Sequence, residues 1–312
     1  MKLKKFNIYK IFVMLFAIVT FYGCQQEDVL QEQSDLEISS DTKASFLSFD
    51  SKSDYEKVFS DNSIIESKKS MQGDFVSLKS TIESFDSENK NARSSQRLED
   101  TLYADYGILP QILNRDKIVK IGDYLIKVDL HTETVLVLES KHREQYGDLA
   151  ESNMTNENIM TFSTDDEVLT LLEQGATGSV NSRLLGWCED PAAGPGRKKD
   201  HSCYSKKKRY KASVIYQRAG IYYSIIAKIK NQKKKWGVWW SDGSGWLRID
   251  YNFYGRVRCG TSYDENSYIK EYYKRKAIYR PYEGTVRMEY YELNAYFTSS
   301  NGSAKGLSIK DL

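Results

Sequence analysis

The sequence predicts an α+β protein, in which a small helix and β-meander N-terminal region precedes a β-rich, sandwich-like C-terminal domain. Charge is unevenly distributed: residues 1–184 contain 20 Lys and Arg against 31 Asp and Glu, whereas residues 185–312 contain 25 against 12. Aromatic residues follow the same division, because all 5 Trp and 16 of the 23 Tyr lie in residues 185–312. Apolar spacing is helical in parts of the acidic half and has a period of two in the basic half. This asymmetry indicates two differently specialised regions.

Residues 1–23 have the pattern of a lipoprotein signal peptide. Lysines near the N-terminus precede an apolar run over residues 11–21. As a helix, these eleven to thirteen apolar residues would span at most ~20 Å, too short for the ~30 Å hydrocarbon core, so the run predicts a cleaved export signal. Gly23 directly before Cys24 resembles the lipobox of bacterial lipoproteins, in particular those of the Bacteroidetes. The resemblance implies that Cys24 carries acyl chains such as palmitate and becomes the mature N-terminus.

The residues after Cys24 predict where the protein is held. Glu27-Asp28 resembles the short acidic signal that sends some Bacteroidetes lipoproteins to the cell surface. Residues 24–44 are polar and acidic, without apolar periodicity, and predict a disordered tether. We therefore expect a lipid-anchored outer-membrane protein exposed at the cell surface, with the lipid as its only membrane contact. The alternative is a secreted protein in which Cys24 has no role.

Residues 45–180 are predicted to form the acidic α+β region. A capping box, Ser53-x-x-Glu56, indicates a short helix. Helical spacing follows over residues 75–85 and 98–109, and Pro110 is expected to end or kink the second of these helices. Alternation over Lys117–Glu139 predicts a three-stranded meander.

Residues 185–312 are predicted to form the basic, aromatic-rich β domain. Apolar and polar residues alternate at Ala212–Tyr216, Ile221–Ile229 and Val286–Tyr290. These runs favour five to seven antiparallel strands in a sandwich or a partly open barrel.

Three cysteines remain after acylation of Cys24, and an exported protein favours a disulfide between two of them. Cys188 and Cys203 bracket a loop of about fifteen residues, whose closure would contribute ~3 kcal/mol in the chain-entropy model. A Cys203–Cys259 pair is the alternative. A zinc site made of Cys188, His201, Cys203 and Cys259 has suitable ligands but lacks the short Cys-x2-Cys knuckle. The disulfide Cys188–Cys203 is therefore favoured, and we expect no metal and no cofactor.

No catalytic residue is assigned. The sequence contains no Gly-x-Ser-x-Gly elbow, His-Glu-x-x-His helix, Walker loop or dinucleotide fingerprint. Carboxylates are abundant, but glycoside hydrolysis needs two of them facing each other at a set separation. An enzyme is the less favoured interpretation. If the protein is an enzyme, we expect an extracellular glycan hydrolase.

A cluster of cations with neighbouring tryptophans is the feature that indicates a function. It comprises Lys206, Lys207, Lys208, Arg209, Lys211, Lys228, Lys230, Lys233, Lys234 and Lys235, followed by Trp236, Trp239 and Trp240. A hairpin with its turn at Arg218–Ile221 would place Lys211 opposite Lys228 and bring all ten cations to one end. Such a cluster concentrates an anionic partner, and aromatic faces beside cations suit sugar stacking. Exposed edge strands also use lysines to block aggregation, which is the competing explanation.

We therefore expect a surface binding lipoprotein that recognises anionic polysaccharide or another envelope polyanion. Nucleic acid could bind the same cations, but it is not the polymer expected at the predicted location. A structural subunit of the envelope or of fimbriae is a further alternative. The signal with Gly23-Cys24, the meander Ile118–Leu138 and the strand Ala219–Tyr223 resemble uncharacterised Bacteroidetes lipoproteins, and this resemblance implies a location rather than an activity. The oligomeric state has no signal in the sequence.

Overall fold

The computed structural model describes residues 45–88, 102–174, 198–205, 207–258 and 260–311. The predicted signal peptide and tether and the predicted boundary between residues 180 and 185 lie outside these residues. The same holds for Cys24, Cys188, Cys259 and Lys206. The chain is mainly β, in several antiparallel sheets, with a modest helical part. Within the described ranges, no helix is both long and apolar enough to cross a membrane.

The helices are short and all lie in the N-terminal part of the described chain. They are α1 (Lys52–Glu56), α2 (Ser63–Met71), α3 (Leu78–Glu88), α4 (Leu109–Ile112), α5 (Tyr146–Ala150) and α6 (Val168–Glu173), with 3₁₀ turns at Lys57–Phe59, Tyr103–Asp105 and Ser140–Gln145. Two predicted helix ends are wrong. Ser51, not Ser53, caps α1, because its hydroxyl accepts the Asp54 N–H at 3.1 Å. Pro110 lies in the first turn of α4, where its missing N–H costs no hydrogen bond, so it begins a helix instead of ending one.

The strands form three sheets. They are β1 (Ser48–Phe49), β2 (Ile118–Ile121), β3 (Tyr124–Asp129), β4 (Thr134–Glu139), β5 (Ile159–Ser163), β6 (Lys198–Ser205), β7 (Lys208–Arg218), β8 (Tyr223–Lys235), β9 (Val238–Ser241), β10 (Trp246–Val257), β11 (Ser262–Tyr272), β12 (Lys276–Gly284), β13 (Met288–Ser299) and β14 (Gly302–Asp311).

The first sheet, here called the meander sheet, has the order β1-β2-β3-β4-β5. Strands β2, β3 and β4 pair antiparallel in sequence, which confirms the predicted meander. Strand β1 adds a parallel pair at one edge and β5 an antiparallel pair at the other. Both faces of the sheet are covered: Ile126 and Val137 pack on one side, and Leu125 and Leu138 on the other.

The other two sheets pack face to face as a sandwich. The basic sheet has the order β12-β8-β7-β6, with β9 added to the far end of β8, and the tyrosine sheet has the order β11-β10-β13-β14. Side chains from both enclose one core, to which Val214 and Ile225 contribute from the basic sheet and Phe253 and Phe297 from the tyrosine sheet. Because side chains alternate along a strand, every second residue of the basic sheet faces away from this core.

The β7–β8 hairpin connects the sandwich to the N-terminal region. Its turn, Ala219–Tyr222, is here called the tip, and it is buried in the core that lies beneath the meander sheet. The Gly220 N–H donates to the Thr164 carbonyl at 2.9 Å, and the Tyr55 hydroxyl donates to the Ile221 carbonyl at 3.1 Å. The predicted turn at Arg218–Ile221 is therefore wrong, because a four-residue tip extends into another core. Pairing shifts by two residues: Lys211 lies opposite Lys230, not Lys228.

Candidate functional site

The candidate site lies at the open end of the β7–β8 hairpin, far along both strands from the tip. Pairing continues there to Lys208 opposite Lys233. A shift of two residues leaves each side chain on its predicted face, so the cations still gather at this end. Their alternation along the strands now decides which of them share a surface.

A row of three lysines crosses the outer face of the basic sheet. Lys211 on β7 lies directly opposite Lys230 on β8, and Lys230 lies directly opposite Lys276 on β12. Directly opposed residues have their Cβ atoms about 5 Å apart, and like charges in such positions are destabilising. Lys211, Lys230 and Lys276 are here called the lysine row. Lys276 has no signal in the sequence, because its place follows only from the pairing of β12 with β8, which are separated by 40 residues in the chain.

One carboxylate from the N-terminal region neutralises part of this charge. Asp105, in the 3₁₀ turn Tyr103–Asp105, pairs with the ammonium of Lys228 and with that of Lys276 at 3.1 Å. The Asp105 carbonyl also accepts a hydrogen bond from Arg280 at 2.8 Å. Burial opposes ionisation of Asp105, but its pairing with Lys228 and Lys276 outweighs burial and lowers its pKa. Asp105 therefore remains a carboxylate at neutral pH and neutralises charge at the Lys276 end of the lysine row.

The other two members of the row are not part of an ion pair in the described ranges. Neither Lys211 nor Lys230 forms an ion pair with any residue that the structure describes. Lys230 is half-buried, and burial together with the charges of Lys228 and Lys211 lowers its pKa, against the attraction of Asp105. A half-buried lysine surrounded by other lysines is stabilised when an anion approaches it.

A second group of cations lies on the opposite side of the same strands. Lys208 and Lys233 point toward the sandwich side, where their ammonium groups lie 3.7 and 3.6 Å from the Asp242 carboxylate. Asp242 is only 1% exposed and accepts further hydrogen bonds from Ser244. The pKa of Asp242 is lowered, because these hydrogen bonds and the cation charge outweigh its burial. The predicted cluster is thus divided between two faces, and Lys208 and Lys233 are already paired.

The tryptophans also separate by face. On the outer side, the Arg209 guanidinium lies 4.1 Å from the ring centre of Trp239, and the Lys234 ammonium lies 6.0 Å from it. Trp239 thereby extends the outer face beyond the lysine row. Trp240 alternates to the other side, and Trp236 is 94% exposed in the turn between β8 and β9. Lys207 and Lys235 are exposed near this turn.

A pocket opens further along β7, where β6 begins to pair with it. Its volume is about 150 Å³, and its walls include Tyr106, Thr164, Tyr216 and Arg218. Arg218 is 7% exposed and its Nη1 pairs with Asp165 at 2.8 Å. Its Nη2 is buried, with no hydrogen-bond acceptor among the residues that the structure describes.

The cysteine predictions remain untested. Cys203 lies on β6 opposite Tyr210, but Cys188 and Cys259 lie outside the described residues, so neither disulfide pairing can be assigned. The same limit applies to the alternative zinc set, although His201 lies on β6 two residues before Cys203. Over the described ranges, no three His, Cys, Asp or Glu side chains gather as a metal site.

One solved structure with a partial likeness to the chain is a DUF4848 family protein from Bacteroides thetaiotaomicron. The alignment has 13% sequence identity and a TM-score of 0.21, and it covers 86% of this chain and 98% of that chain. At this TM-score the likeness carries no argument about fold or function. No protein-family model matches the chain, and no curated protein matches it either.

Proposed function

We propose that this protein is a lipid-anchored binding protein of the bacterial cell surface that holds anionic polysaccharide on the outer face of its basic sheet. The observation that carries the proposal is the lysine row, with Lys211 and Lys230 unpaired. Three directly opposed lysines cost stability in the absence of an anion, and this cost falls when a polymer places negative groups along them.

The surroundings of the row favour a polymer over a single small anion. Arg209, Lys234 and Trp239 continue the same face toward the open end of the hairpin. Repeated cations beside an aromatic ring suit a chain of acidic sugars, since the ring stacks on a sugar while ammonium groups contact its carboxylates or sulfates. Each neutralised anion releases bound counterions, so affinity accumulates along the chain.

The choice of polysaccharide over nucleic acid rests on the predicted cellular location. Cys24 and the signal before it imply export to the outer membrane, where acidic glycans are abundant and nucleic acid is not. Both polymers present closely spaced anions, so the binding test includes both. Stronger retention of single-stranded DNA than of any acidic polysaccharide would contradict the glycan part of the proposal.

The test measures binding of the full-length protein to heparin as a model sulfated polysaccharide at ~50 mM and ~200 mM salt. The double variant Lys211→Glu with Lys230→Glu should bind at least about tenfold more weakly at the lower salt and show a shallower salt dependence. The matched control is Lys79→Glu with Lys305→Glu, which makes the same change in charge at exposed positions of α3 and β14.

The control separates a local site from general attraction to a basic protein. We expect the control to keep most of the parent affinity, because its substitutions lie outside the outer face of the basic sheet. Equal losses in both double variants would contradict the proposal, as would a parent protein that is not retained on heparin at ~50 mM salt.

The anchor has its own test. Replacing Cys24 by Ser should release the protein from membranes or leave it unprocessed, because the acyl chains would have no attachment site. The measurement is the distribution of parent and variant between soluble and detergent-extracted membrane fractions. A variant that fractionates with membranes like the parent would contradict lipid anchoring.

A further inference from the structure

The pocket beside Arg218 has the size and the walls of a site for a small ligand. Its volume of about 150 Å³ corresponds to roughly ten water-sized spheres, which is the order of size of one monosaccharide. Tyr106 and Tyr216 contribute aromatic surface, and Thr164, Lys198 and Glu133 contribute polar groups. A concave site with a few converging polar groups is typical of small-molecule recognition.

Arg218 supplies the observation that points to an acidic ligand. Its guanidinium is buried and engages Asp165 through Nη1 only, at 2.8 Å. The Nη2 group has no acceptor among the described residues, although buried donors of charged groups are normally satisfied. A carboxylate is a strong acceptor for a guanidinium, because the hydrogen bond is then assisted by charge on both sides.

We infer that this pocket binds the carboxylate of a single acidic sugar unit, a uronate, through the Nη2 group of Arg218. The inference rests on the proposed function, because it takes the sugar to be one unit of the anionic polysaccharide. The tyrosine rings face the sugar, the Glu133 carboxylate accepts hydrogen bonds from its hydroxyls, and the Thr164 hydroxyl donates or accepts one. Lys198, which also lines the pocket, is paired with Asp200 at 3.0 Å.

The pocket and the lysine row lie on the same strand, β7. Ile215, which lines the pocket, and Lys211 are both on the outer face of β7. They are four residues apart, which corresponds to about 13 Å along a strand. Arg218 itself alternates to the face of β7 that carries the core residue Tyr216, so the pocket and the lysine row are separate sites on one strand.

The test uses D-glucuronate as the probe and D-glucose as its neutral counterpart, with binding to the full-length protein followed by calorimetry. We expect saturable binding of glucuronate and binding of glucose at least about tenfold weaker. Arg218→Met should abolish the difference, but this variant also leaves Asp165 without its ion pair and can fail to fold.

A second variant avoids that difficulty. Ile215→Trp fills the pocket and leaves Arg218 unchanged, so it should lose at least about tenfold in glucuronate affinity. The matched control, Ile64→Trp, places the same side chain at a half-buried isoleucine on α2, which does not line the pocket, and should retain binding. Equal glucuronate affinity in the parent and Ile215→Trp, equal affinity for the two sugars, or no saturable binding would each overturn the inference.

Heparin binding measured on the same proteins distinguishes the two proposals. If the parent retains heparin but no protein binds glucuronate, the pocket inference fails and the lysine row remains the binding surface. If glucuronate binds in the pocket but heparin is not retained, the proposed polysaccharide function fails and the pocket is a site for a monosaccharide alone.

Discussion

The two ends of the β7–β8 hairpin have the same strand pairing but opposite surroundings. The tip, Ala219–Tyr222, is fully buried, and its backbone is held by residues from the N-terminal region. The open end presents lysines to solvent, and the described residues leave Lys211 and Lys230 unpaired. The same pair of strands thus connects a tip that is fixed by packing to an open end whose lysines have no ion-pair partner among the described residues. Under the proposed function, we expect the tip to determine stability and the open end to determine binding.

Two glycines of similar backbone conformation test this difference with the largest expected effect. Gly220 at the tip has φ of +71°, and Gly237 near the open end has φ of +80°. A Cβ on Gly220 would lie 2.6 Å from a methyl group of Val135, whereas nothing lies within 4 Å of a Cβ on Gly237. Gly220→Ala should therefore cost ~3 kcal/mol from strain and overpacking, and Gly237→Ala ~1 kcal/mol from strain alone.

Urea unfolding of the two alanine variants measures both losses. Equal destabilisation at the two positions would show that packing of the tip contributes nothing beyond backbone strain. Heparin affinity should be unchanged in Gly220→Ala as long as the protein is folded, because the tip lies at the opposite end of the strands from the lysine row.

Removing Asp105 should separate stability from binding at the open end. Asp105→Asn deprives Lys228 and Lys276 of their carboxylate, and we expect a loss of about 1–2 kcal/mol in the free energy of unfolding at pH 7. Heparin affinity should rise at the same time, because two more cations become available. A variant that loses both stability and affinity would contradict the assignment of Asp105 as a neutralising residue.

The pH dependence of the Asp105 effect has a defined sign. Its pKa in the folded protein is lowered, so its contribution to stability is fully present above the ordinary aspartate pKa of ~3.9 and is lost as pH falls through the folded value. The difference in unfolding free energy between the parent and Asp105→Asn should therefore shrink as the pH is lowered from 5 to about 3. Unfolding curves at these pH values measure it.

The sequence predicted those features that depend on local patterns. Alternation over Lys117–Glu139 was sufficient for the meander, because a period of two specifies strands and short turns join them. The same alternation predicted the faces of β7 and β8 correctly, but not their register. The four-residue tip is long because Tyr222 packs in another core, and that contact comes from residues distant in the sequence.

The site was predictable only in part for the same reason. Clustering of Lys and Arg in the sequence located the open end of the hairpin. Three contacts then determine which of its cations share a face and which are paired with carboxylates. Lys276 joins the row from β12, Asp105 neutralises one end of it, and Asp242 pairs with Lys208 and Lys233. Each of these contacts joins residues that share no local pattern in the sequence, so the sequence alone does not predict them.

Neighbouring lysines on β8 give a smaller test of the division between faces. Lys233 lies beside the buried Asp242, whereas Lys234 lies on the outer face over Trp239. Lys233→Gln should lower the free energy of unfolding by ~0.5 kcal/mol and change heparin affinity little. Lys234→Gln should weaken heparin binding and change the free energy of unfolding little. Urea unfolding and heparin retention of both variants provide the comparison, and identical behaviour would contradict the division.

The smallest expected effect concerns the charge state of Lys230. Burial and the charges of Lys228 and Lys211 lower its pKa in the folded protein, with Lys276 adding to the repulsion and Asp105 opposing it. The charged form therefore destabilises the folded state at neutral pH, and this cost is relieved as pH rises through the folded pKa toward the ordinary lysine value of ~10.4. A bound polyanion favours the charged form, so binding at alkaline pH should be accompanied by proton uptake, and heparin affinity should fall as the pH rises from 7 toward the ordinary lysine pKa of ~10.4. In Lys230→Arg the side chain stays charged throughout this range, so most of the pH dependence should disappear. If the parent and Lys230→Arg lose affinity equally with pH, the titrating group lies elsewhere, and Lys230 does not contact the polymer.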